Sequence, residues 1–585
     1  MNEALRYLDK YLRKYRLKLF AGIIITVISR IFSLFAPRLI GNSLTTVEKF
    51  LSENQTTLEE VKQILLINIL IIIGASILSA FFTFLMRQMI INVSRFIEYD
   101  LKNEIFQHYQ ILDQTFYKNN RTGDLMNRIS EDVSKVRLYV GPALMYGINT
   151  ITLFLIVISF MINIAPELTL YVLLPLPFLS YLIYKLSRII NQRSTKVQEM
   201  LSRLSSYTQE IFSGISVIKS FDLKNKINIK VSSLSNLAQE KNMSLAKVQA
   251  WFFPLMILMI GISNLLVILI GGNLFINGEI EIGVIAEFIV YINMLTWPVM
   301  AVGWITSIVQ QAEASQKRIN EFLNIKQNIT DGLGVREKIV GNITFKDVSL
   351  TYPETNINAL NSISFFLKSG ETMGVVGDVG SGKSTLLDLI PRLYDPKKGS
   401  IYIGNNSIKD FKISELRKYI GYVPQNGFLF SGTIKENIIF GSHGKTKNDM
   451  IEVSKKACIH SNIMMFKKKY NTLIGERGVT LSGGQIQRLT IARAFIKNPK
   501  ILLLDDCLSA VDTETEEKIL KNIKEIRKNK TTIIVSHRIS SVKESDKIIV
   551  LENGKIIQSG THKNLILKKG YYKKLNEKQK NEKQD

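Results

Sequence analysis

The sequence predicts two fused parts: a bundle of six membrane-spanning helices with long cytoplasmic extensions, and a soluble α/β domain built around a phosphate-binding loop. Three observations support this fold class. Residues 19–309 contain long apolar runs, whereas residues 340–585 combine short apolar strands with polar segments. A glycine-rich loop directly follows one of those strands. The length of 585 residues is also too great for one ordinary domain.

The membrane part is predicted from six segments that each have roughly the 20 apolar residues needed to cross a bilayer. In chain order these segments are 19–40, 64–86, 140–162, 168–186, 252–275 and 282–309. The alternative is that they are buried helices of a large soluble protein. Uncharged stretches such as 64–80 disfavour that alternative.

The distribution of basic residues predicts the orientation in the membrane. Lysine and arginine concentrate in the connections at 87–137 and 185–247, whereas the opposite connections carry few. Because basic residues stay on the cytoplasmic side, we expect a multi-pass protein of the cell (cytoplasmic) membrane with both termini and the α/β domain in the cytoplasm. Residues 1–18 have the pattern of an amphipathic elbow helix at the cytoplasmic interface, not of a cleaved signal peptide.

Arg30 lies about halfway through the first predicted span, where a lone charge is costly. Two interpretations remain open. Arg30 faces a cavity, where it selects substrate or pairs with an acid such as Glu287. Alternatively, the helix is longer than the bilayer and Arg30 reaches water.

The formal net charge of +25 raises the hypothesis of nucleic-acid binding. The basic residues are better explained by the cytoplasmic side of a membrane protein, so we expect no nucleic-acid partner. Cys458 and Cys507 are the two cysteines of the chain. They indicate neither a disulfide framework nor a cysteine metal cluster.

The glycine-rich loop has the pattern G-x-x-x-x-G-K-[ST], in which backbone N–H groups surround phosphate oxygens at a helix N-terminus. A buried strand at 373–376 precedes it, as the motif requires, so the soluble part is predicted to be an α/β P-loop NTPase. We expect Lys383 to contact the β- and γ-phosphates of a nucleoside triphosphate and the Ser384 hydroxyl to bind Mg²⁺. The candidate loop residues are Gly377, Asp378, Val379, Gly380, Ser381, Gly382, Lys383, Ser384 and Thr385.

Two later strands end in polar residues. The buried strand at 501–504 leads into Asp505, and the strand at 532–535 leads into Ser536 and His537. A carboxylate at the carboxyl end of a strand beside the phosphate loop can hold Mg²⁺, usually through water. A lone histidine at a strand end is, by itself, more often structural than functional.

A second motif lies between the phosphate loop and Asp505. It consists of Leu481, Ser482, Gly483, Gly484 and Gln485. With this motif in this order, residues 345–560 resemble the ATP-binding cassette of ABC transporters, whose signature is similar to 481–485. Stretches 123–133 and 210–221 of the cytoplasmic connections are similar to those of ABC exporters.

The resemblance implies roles for further residues. Tyr352 would stack on adenine, Gln425 would contact Mg²⁺, and His537 would reach the γ-phosphate. Asp512 would lie in the loop that crosses to a second cassette, and residues 481–485 would bind the ATP held by that cassette. Short coupling helices at about 113–121 and 213–221 would dock on the cassettes.

Asp506 departs from the family pattern, because active cassettes usually have glutamate there as the general base. Aspartate is one methylene shorter, which shortens its reach by about 1–1.5 Å and can cost about 10²-fold in a positioned reaction. We therefore favour a degenerate site in one half of a heterodimeric exporter, whose partner carries the glutamate. The alternative is a homodimer in which Asp506 is the working base.

The sequence thus predicts ATP-driven export, or flipping, of an apolar or amphipathic substrate by half of a dimeric multidrug- or lipid-type ABC exporter. The rival functions are a cassette ATPase acting on nucleic acid and an ATP-gated channel. The expected partners are a second half-transporter, the lipid bilayer and a small amphipathic or lipid-like substrate. The predicted boundaries are 1–18 elbow helix, 19–312 transmembrane domain, 313–341 linker, 342–578 cassette and 579–585 polar tail.

Overall fold

The computed structural model describes residues 3–53, 57–335, 341–442, 444–475, 481–526 and 530–581. The chain divides into two compact units: Met1–Tyr109 with Gly123–Ile325, and Gln110–Thr122 with Lys326–Asp585. Residues 336–340 of the predicted linker and 582–585 of the predicted tail lie outside the described residues.

The secondary structure described in the first unit is helical. A 3₁₀-helix, Glu3–Leu8, precedes the first α-helix, and π-helical turns occur at Arg128–Asp132 and Tyr139–Ala143. The α-helices up to residue 323, of which α5 belongs to the second unit, are α1 Asp9–Lys14, α2 Arg16–Ser33, α3 Phe35–Glu53, α4 Leu58–Ile111, α5 Gln114–Asn119, α6 Thr122–Asn127, α7 Val133–Leu138, α8 Leu144–Ile164, α9 Pro166–Leu173, α10 Pro175–Ser213, α11 Ile215–Ser220, α12 Lys224–Gln249, α13 Phe252–Ile276 and α14 Ile282–Leu323.

The helices long and apolar enough to cross a membrane number five among the described residues. They are Arg16–Ser52, Leu58–Ile111, Thr122–Ile164, Lys224–Ile276 and Ile282–Leu323. They contain five of the six predicted spans. The helix α4 has 54 residues, about 80 Å at 1.5 Å per residue, so it extends far beyond a hydrocarbon core of roughly 30 Å.

The fourth predicted span, 168–186, differs from the other five. It is divided between α9 and α10, which are separated at Leu174. Pro175 lacks a backbone N–H and therefore cannot continue the hydrogen-bond ladder of α9. The apolar composition predicted one uninterrupted helix here, and the local proline chemistry breaks it.

Arg30 does not pair with Glu287, the acid named as an example in one of its two interpretations. The Arg30 Nε donates a hydrogen bond to the Asn149 Oδ1 at 2.5 Å. Glu287, whose exposed fraction is 5%, instead accepts a hydrogen bond from the Tyr291 hydroxyl at 2.5 Å. Sequence spacing did not reveal that Asn149 of α8 lies closer to Arg30.

The second unit contains two main sheets. One has the order β2-β1-β4-β5, the other has the order β12-β11-β3-β10-β9-β6, and β7 pairs with β8. The strands are β1 Ile343–Thr351, β2 Asn358–Leu367, β3 Thr372–Gly377, β4 Lys398–Ile403, β5 Asn406–Ser407, β6 Ile420–Val423, β7 Gly432–Thr433, β8 Leu473–Ile474, β9 Ile501–Asp505, β10 Thr531–Val535, β11 Lys547–Glu552 and β12 Lys555–Gly560.

Helices surround these sheets and bury their apolar faces. The strands β3, β9 and β10 are buried along their whole length, as expected for central strands of a parallel sheet. The remaining helices are α15 Lys383–Leu389, α16 Ile413–Lys418, α17 Ile434–Ile439, α18 Lys447–Lys456, α19 His460–Met465, α20 Gly483–Ile496, α21 Thr513–Ile526, α22 Ile539–Val542, α23 His562–Leu567 and α24 Tyr571–Asn581.

The predicted boundaries can be placed on these elements. The helix α14 continues to Leu323, past the predicted domain end at 312, because its helical pattern persists beyond the apolar segment. At the other end, α24 continues to Asn581, into the predicted tail.

Two glycines allow α3 and α14 to approach closely. A Cβ atom on Gly283 would lie 2.1 Å from the Gly41 carbonyl oxygen, and one on Gly41 would lie 2.7 Å from the Gly283 carbonyl oxygen. The Gly283 N–H also donates to the Thr45 hydroxyl at 3.2 Å. Small residues permit such backbone contacts between membrane helices.

We expect Gly283→Ala to destabilise the protein by about 1–3 kcal/mol, because the added methyl group forces the two backbones apart. Gly272→Ala is the matched control, since a Cβ there meets nothing within 4 Å. The measurement is the thermal unfolding midpoint of the detergent-purified chain. Equal midpoints for the two variants would contradict the close crossing.

Candidate functional site

The candidate site lies at the carboxyl edge of the six-stranded sheet. The parallel strand β10 pairs with β3 on one side and with β9 on the other. This register brings together the phosphate loop after Gly377, Asp505 at the end of β9, and the segment after Val535. The Asp506 N–H donates to the Val535 carbonyl oxygen at 2.9 Å and joins two of these segments.

The phosphate loop begins at the end of β3 and leads into α15. Gly382 precedes α15 with φ of 96°, and a Cβ there would lie 2.3 Å from the Ala359 carbonyl oxygen. Both the conformation and the space require glycine. The Lys383 Nζ donates to the carbonyl oxygens of Gly377 at 2.9 Å and Asp378 at 2.6 Å. The ammonium group is therefore held over the loop, where the sequence predicts phosphates.

Three carboxylates act on Lys383. Burial lowers the pKa of Lys383, whereas the negative charges of Asp506, Asp505 and Asp378 raise it. Burial has the larger effect. Burial disfavours the charged form of Lys383, and nearby negative charges favour it. The negative charge of a bound phosphate would therefore also stabilise the ammonium group.

Ser384 and Asp505 form the predicted metal-binding pair. Burial raises the pKa of Asp505 to about 6; the neighbouring Ser384 hydroxyl acts to lower that pKa, and the charges of Asp388 and Asp506 raise it by smaller amounts. The Asp505 Oδ1 is buried and has no hydrogen-bond partner among the described residues. An unpaired carboxylate oxygen beside a hydroxyl group fits the oxygen ligands that Mg²⁺ prefers.

A divalent ion would need further ligands from phosphate and water. Among the residues that the structure describes, no group of three or more His, Cys, Asp or Glu side chains is arranged to hold a metal ion. Mg²⁺ retains water and uses few protein ligands when it binds with a nucleotide. The pair of Ser384 and Asp505 fits that mode.

Asp388 is a site residue that the sequence prediction missed. It lies on α15, accepts a hydrogen bond from the Tyr422 hydroxyl at 2.9 Å, and has a pKa raised mainly by burial. Its charge acts on Asp505. The available signal was a carboxylate within the otherwise apolar run that follows Thr385.

Tyr352, predicted to stack on adenine, follows β1. Its hydroxyl shares a hydrogen bond of 2.9 Å with the hydroxyl of Thr385, so two predicted nucleotide-binding residues are in contact. Its ring packs edge-on against Tyr394, with centroids 5.2 Å apart. The Lys118 Nζ, on α5 of the same unit, lies 4.5 Å from the Tyr352 ring centroid. Burial raises the pKa of Tyr352.

His537 and Gln425 lie on loops at the same sheet edge. His537 follows β10 and is half-buried; burial, and then Lys383, lower its pKa, so the neutral imidazole is favoured. Gln425 is exposed on the loop after β6, which pairs with β9. Both residues therefore follow strands that flank Asp505.

The residues 481–485 form the start of α20. The Ser482 hydroxyl accepts from the Gln485 N–H at 3.3 Å, and the Gln485 Oε1 accepts from the Ser482 N–H at 3.0 Å, which is a capping box. Ser482 and Gly483 are exposed, and Leu481 is half-buried. A Cβ on Gly484 would lie 2.8 Å from the Ala510 carbonyl oxygen. This helix N-terminus is thus presented to solvent on a rigid support.

The Asp512 loop is attached to α20. The Gln487 Nε2 donates to the Ser509 hydroxyl at 3.2 Å, and the Gln487 Oε1 accepts from the Ala510 N–H at 3.1 Å. The Asp512 carboxylate accepts from the Thr515 N–H at 2.9 Å, and this bond lowers the pKa of Asp512. A displacement of either element would therefore be transmitted to the other.

Asp506 has φ of 42°, in the left-handed region. Among residues other than glycine, aspartate and asparagine are enriched there. The Asp506 carbonyl oxygen also accepts a hydrogen bond from the Ser509 hydroxyl at 3.1 Å. The backbone at this position is thus held at both of its hydrogen-bonding groups.

Comparisons with known proteins identify the family to which both units are similar. Residues 19–299 match the family described as ABC transporter transmembrane region, and residues 360–509 match the family described as ABC transporter. The chain is 34% identical over 99% of its length, and 98% of the relative's, to the probable multidrug resistance ABC transporter ATP-binding/permease protein YheI of Bacillus subtilis.

Two further comparisons cover nearly the whole chain. It is 32% identical over 97% of its length, and 95% of the relative's, to the multidrug resistance-like ATP-binding protein MdlA of Escherichia coli. The solved structure of a bacterial Atm1-family ABC exporter with ATP bound has a TM-score of 0.80 at 22% identity, and the match covers 97% of this chain and 99% of that one. That structural similarity supports the fold.

We expect Mg²⁺-dependent ATP binding to weaken as the pH falls through about 6, by about tenfold per pH unit, because the Asp505 carboxyl takes up a proton and protonated ligands release metal. The measurement is calorimetric ATP affinity with and without Mg²⁺. Asp505→Asn should lose this pH-dependent difference, while the titration of ATP itself is common to both proteins. Identical pH profiles for the two proteins would contradict this role.

Proposed function

The chain belongs to the ABC transporter family, and from this premise we propose that it is one half of a dimeric exporter that uses ATP to export or flip an apolar or amphipathic substrate. The chain contains both a transmembrane region and an ATP-binding domain. ATP hydrolysis by the cassette is thus coupled to transport.

The observation that carries the proposal is the arrangement of Lys383, Ser384 and Asp505 at one sheet edge, in a chain that also contains membrane-spanning helices. Lys383 would hold the β- and γ-phosphates, and Tyr352 would stack on the base. Ser384 and Asp505 would hold Mg²⁺, which neutralises phosphate charge when bound. His537, kept neutral by its surroundings, would donate a hydrogen bond to the γ-phosphate.

The orientation follows from the charges. The connections at 87–137 and 185–247 carry the concentrations of lysine and arginine. Basic residues near membrane spans remain in the cytoplasm, so the cassette would lie on the side where ATP is synthesised. The protein would therefore be a multi-pass protein of the cytoplasmic membrane with both termini inside.

Two exposed surfaces support a dimer. On α11 and its flanks, Phe212 and Phe221 have exposed fractions of 69% and 73%. On the cassette, Phe428, Phe430 and Phe440 form an exposed aromatic cluster beside Arg493. Apolar surfaces of this kind usually mark binding sites. The family resemblance implies that short coupling helices dock on the cassettes, and we infer that the α11 surface docks on the aromatic cluster of the partner's cassette.

The exposed start of α20 supports the same assembly. The N–H groups of a helix N-terminus can bind phosphate. Ser482 and Gly483 would bind the ATP held by the partner, and Asp512 would lie in the loop that crosses to it.

We favour a heterodimer because Asp506 stands where active cassettes usually have glutamate. A carboxylate one methylene shorter would position the attacking water poorly. The residues 481–485 are intact, so this chain can complete the partner's site while its own site remains slow. The other outcome is a homodimer in which Asp506 acts as the base.

Transport itself provides the first test. Proteoliposomes containing the assembled transporter should accumulate a lipophilic dye, or move a labelled lipid, only with ATP. Lys383→Ala should reduce ATP affinity at this chain's site by at least about 10-fold, because it removes the cation that faces the phosphates. Lys555→Ala, at an exposed lysine of β12, is the control. ATP-independent dissipation of a substrate gradient would indicate a channel and overturn the proposal.

The second test concerns Asp506. In the assembled transporter, Asp506→Asn should change ATP turnover less than twofold, because the slow site contributes little. Asp506→Glu should increase hydrolysis at this site by about 10-fold or more, because the longer side chain recovers the missing reach. Site-resolved trapping of labelled nucleotide measures both effects. If the chain alone hydrolyses ATP rapidly and Asp506→Asn stops it, the homodimer is correct.

A further inference from the structure

The C-terminal helix α24 contacts the phosphate loop. The Tyr571 hydroxyl, at the first residue of α24, donates a hydrogen bond to the Asp378 Oδ1 at 2.8 Å. Asp378 is the second residue of the phosphate-loop motif, and the Lys383 Nζ is bonded to its carbonyl oxygen at 2.6 Å. A residue near the end of the chain thus holds a carboxylate beside the predicted phosphate position.

The same helix also holds the backbone around His537. The Gln579 Nε2 donates to the His537 carbonyl oxygen at 2.7 Å. The Gln579 Oε1 accepts from the Ile539 N–H at 2.9 Å. One amide side chain therefore fixes the chain at and just after the histidine. These hydrogen bonds avoid the free-energy cost of leaving a buried backbone donor or acceptor without a partner.

The helix is firmly anchored between these contacts. Tyr572 is fully buried, and its hydroxyl shares a hydrogen bond of 2.7 Å with the His562 Nδ1. The Tyr572 N–H donates to the Gln558 Oε1 at 3.1 Å. Tyr571 and Gln579 are thus presented from a supported helix and not from a loose tail.

Asp378 adds a negative charge where the ligand would be strongly anionic. An unrestrained carboxylate could turn toward the phosphates and repel them, at an effective separation of a few ångströms. A hydrogen bond from Tyr571 both restrains the carboxylate and partly neutralises it. The hydrogen bond from Tyr571 to Asp378 therefore favours the binding of an anionic ligand.

We propose that α24 is part of the ATP-binding site, in which Tyr571 restrains Asp378 to permit tight phosphate binding and Gln579 positions His537 for the γ-phosphate. Both are positioning residues that act through another side chain. The inference rests on the proposed ATP site and adds to it a determinant of affinity from the end of the chain.

The decisive experiment is a double-mutant cycle on the purified full-length chain, with ATP affinity measured by calorimetry. Tyr571→Phe keeps the ring and removes only the hydroxyl group. It should weaken ATP and ADP binding by about two- to tenfold, which corresponds to the typical net contribution of one hydrogen bond. Adding Asp378→Asn should restore the affinity, because the unrestrained charge is then gone.

A purely structural role for Tyr571 predicts a different result. The loss in Tyr571→Phe should shrink at about 0.5 M salt relative to about 0.05 M salt, since screening weakens charge repulsion. A loss that is unaffected by salt and not rescued by Asp378→Asn would overturn the proposal. Lys574→Gln, at an exposed lysine of the same helix, is the control and should bind ATP like the wild type.

Gln579→Met tests the second contact. It keeps the length of the side chain and removes both hydrogen bonds, so it should lower the ratio of ATP to ADP affinity, while Tyr571→Phe should leave that ratio nearly unchanged. An unchanged ratio of ATP to ADP affinity in Gln579→Met would show that Gln579 does not position His537.

The same measurements separate this inference from the proposed function. If the wild-type chain binds no ATP, the proposed function fails; if it binds ATP and all the variants match it, only this inference fails.

Discussion

The nucleotide site depends on one constraint, the burial of the Asp505 carboxylate beside the Ser384 hydroxyl. Ser384 belongs to the helix after the phosphate loop and Asp505 to the end of β9, with strand β10 between β3 and β9. The register of these three strands places the loop, the carboxylate and the segment of His537 side by side. Because burial of a carboxylate is costly, this arrangement is stabilised only when a hydroxyl group or a cation accompanies it. The hydroxyl group offsets only part of the cost of burying Asp505, and a bound cation would offset the rest.

The local features of the protein were predictable from the sequence. Three features depend only on residues close together in the chain and can therefore be recognised as sequence motifs. They are the phosphate loop, the strand ending in Asp505 and the capped start of α20. The membrane spans were predictable where apolar composition decides, and the exception at 168–186 shows a proline overriding composition. The roles of Tyr352, Gln425, His537 and Asp512 remain predictions, although the structure brings Tyr352 against Thr385.

Contacts between distant segments were not predictable in the same way. Arg30 is 119 positions from Asn149, and nothing in the spacing favours that partner over Glu287. Asp388 was overlooked because a single acid in an apolar helix has no motif around it. Tyr571 is 193 positions from Asp378, and its role depends on where the last helix folds back. Such pairs are decided by tertiary packing, which a single sequence does not encode in any local pattern.

The uninterrupted length of α4 has a mechanical consequence. A helix of 54 residues is a stiff rod of roughly 80 Å, and it ends at Ile111, immediately before the Asp113-capped turn that leads into α5. If such a rod tilts by about 5° about one end, its far end moves sideways by roughly 7 Å, a distance larger than the 5.4 Å pitch of an α-helix. Small angular changes at one end of α4 therefore produce large displacements at its other end. The displacement of one end of α4 for a given tilt therefore increases in proportion to the number of residues in the helix.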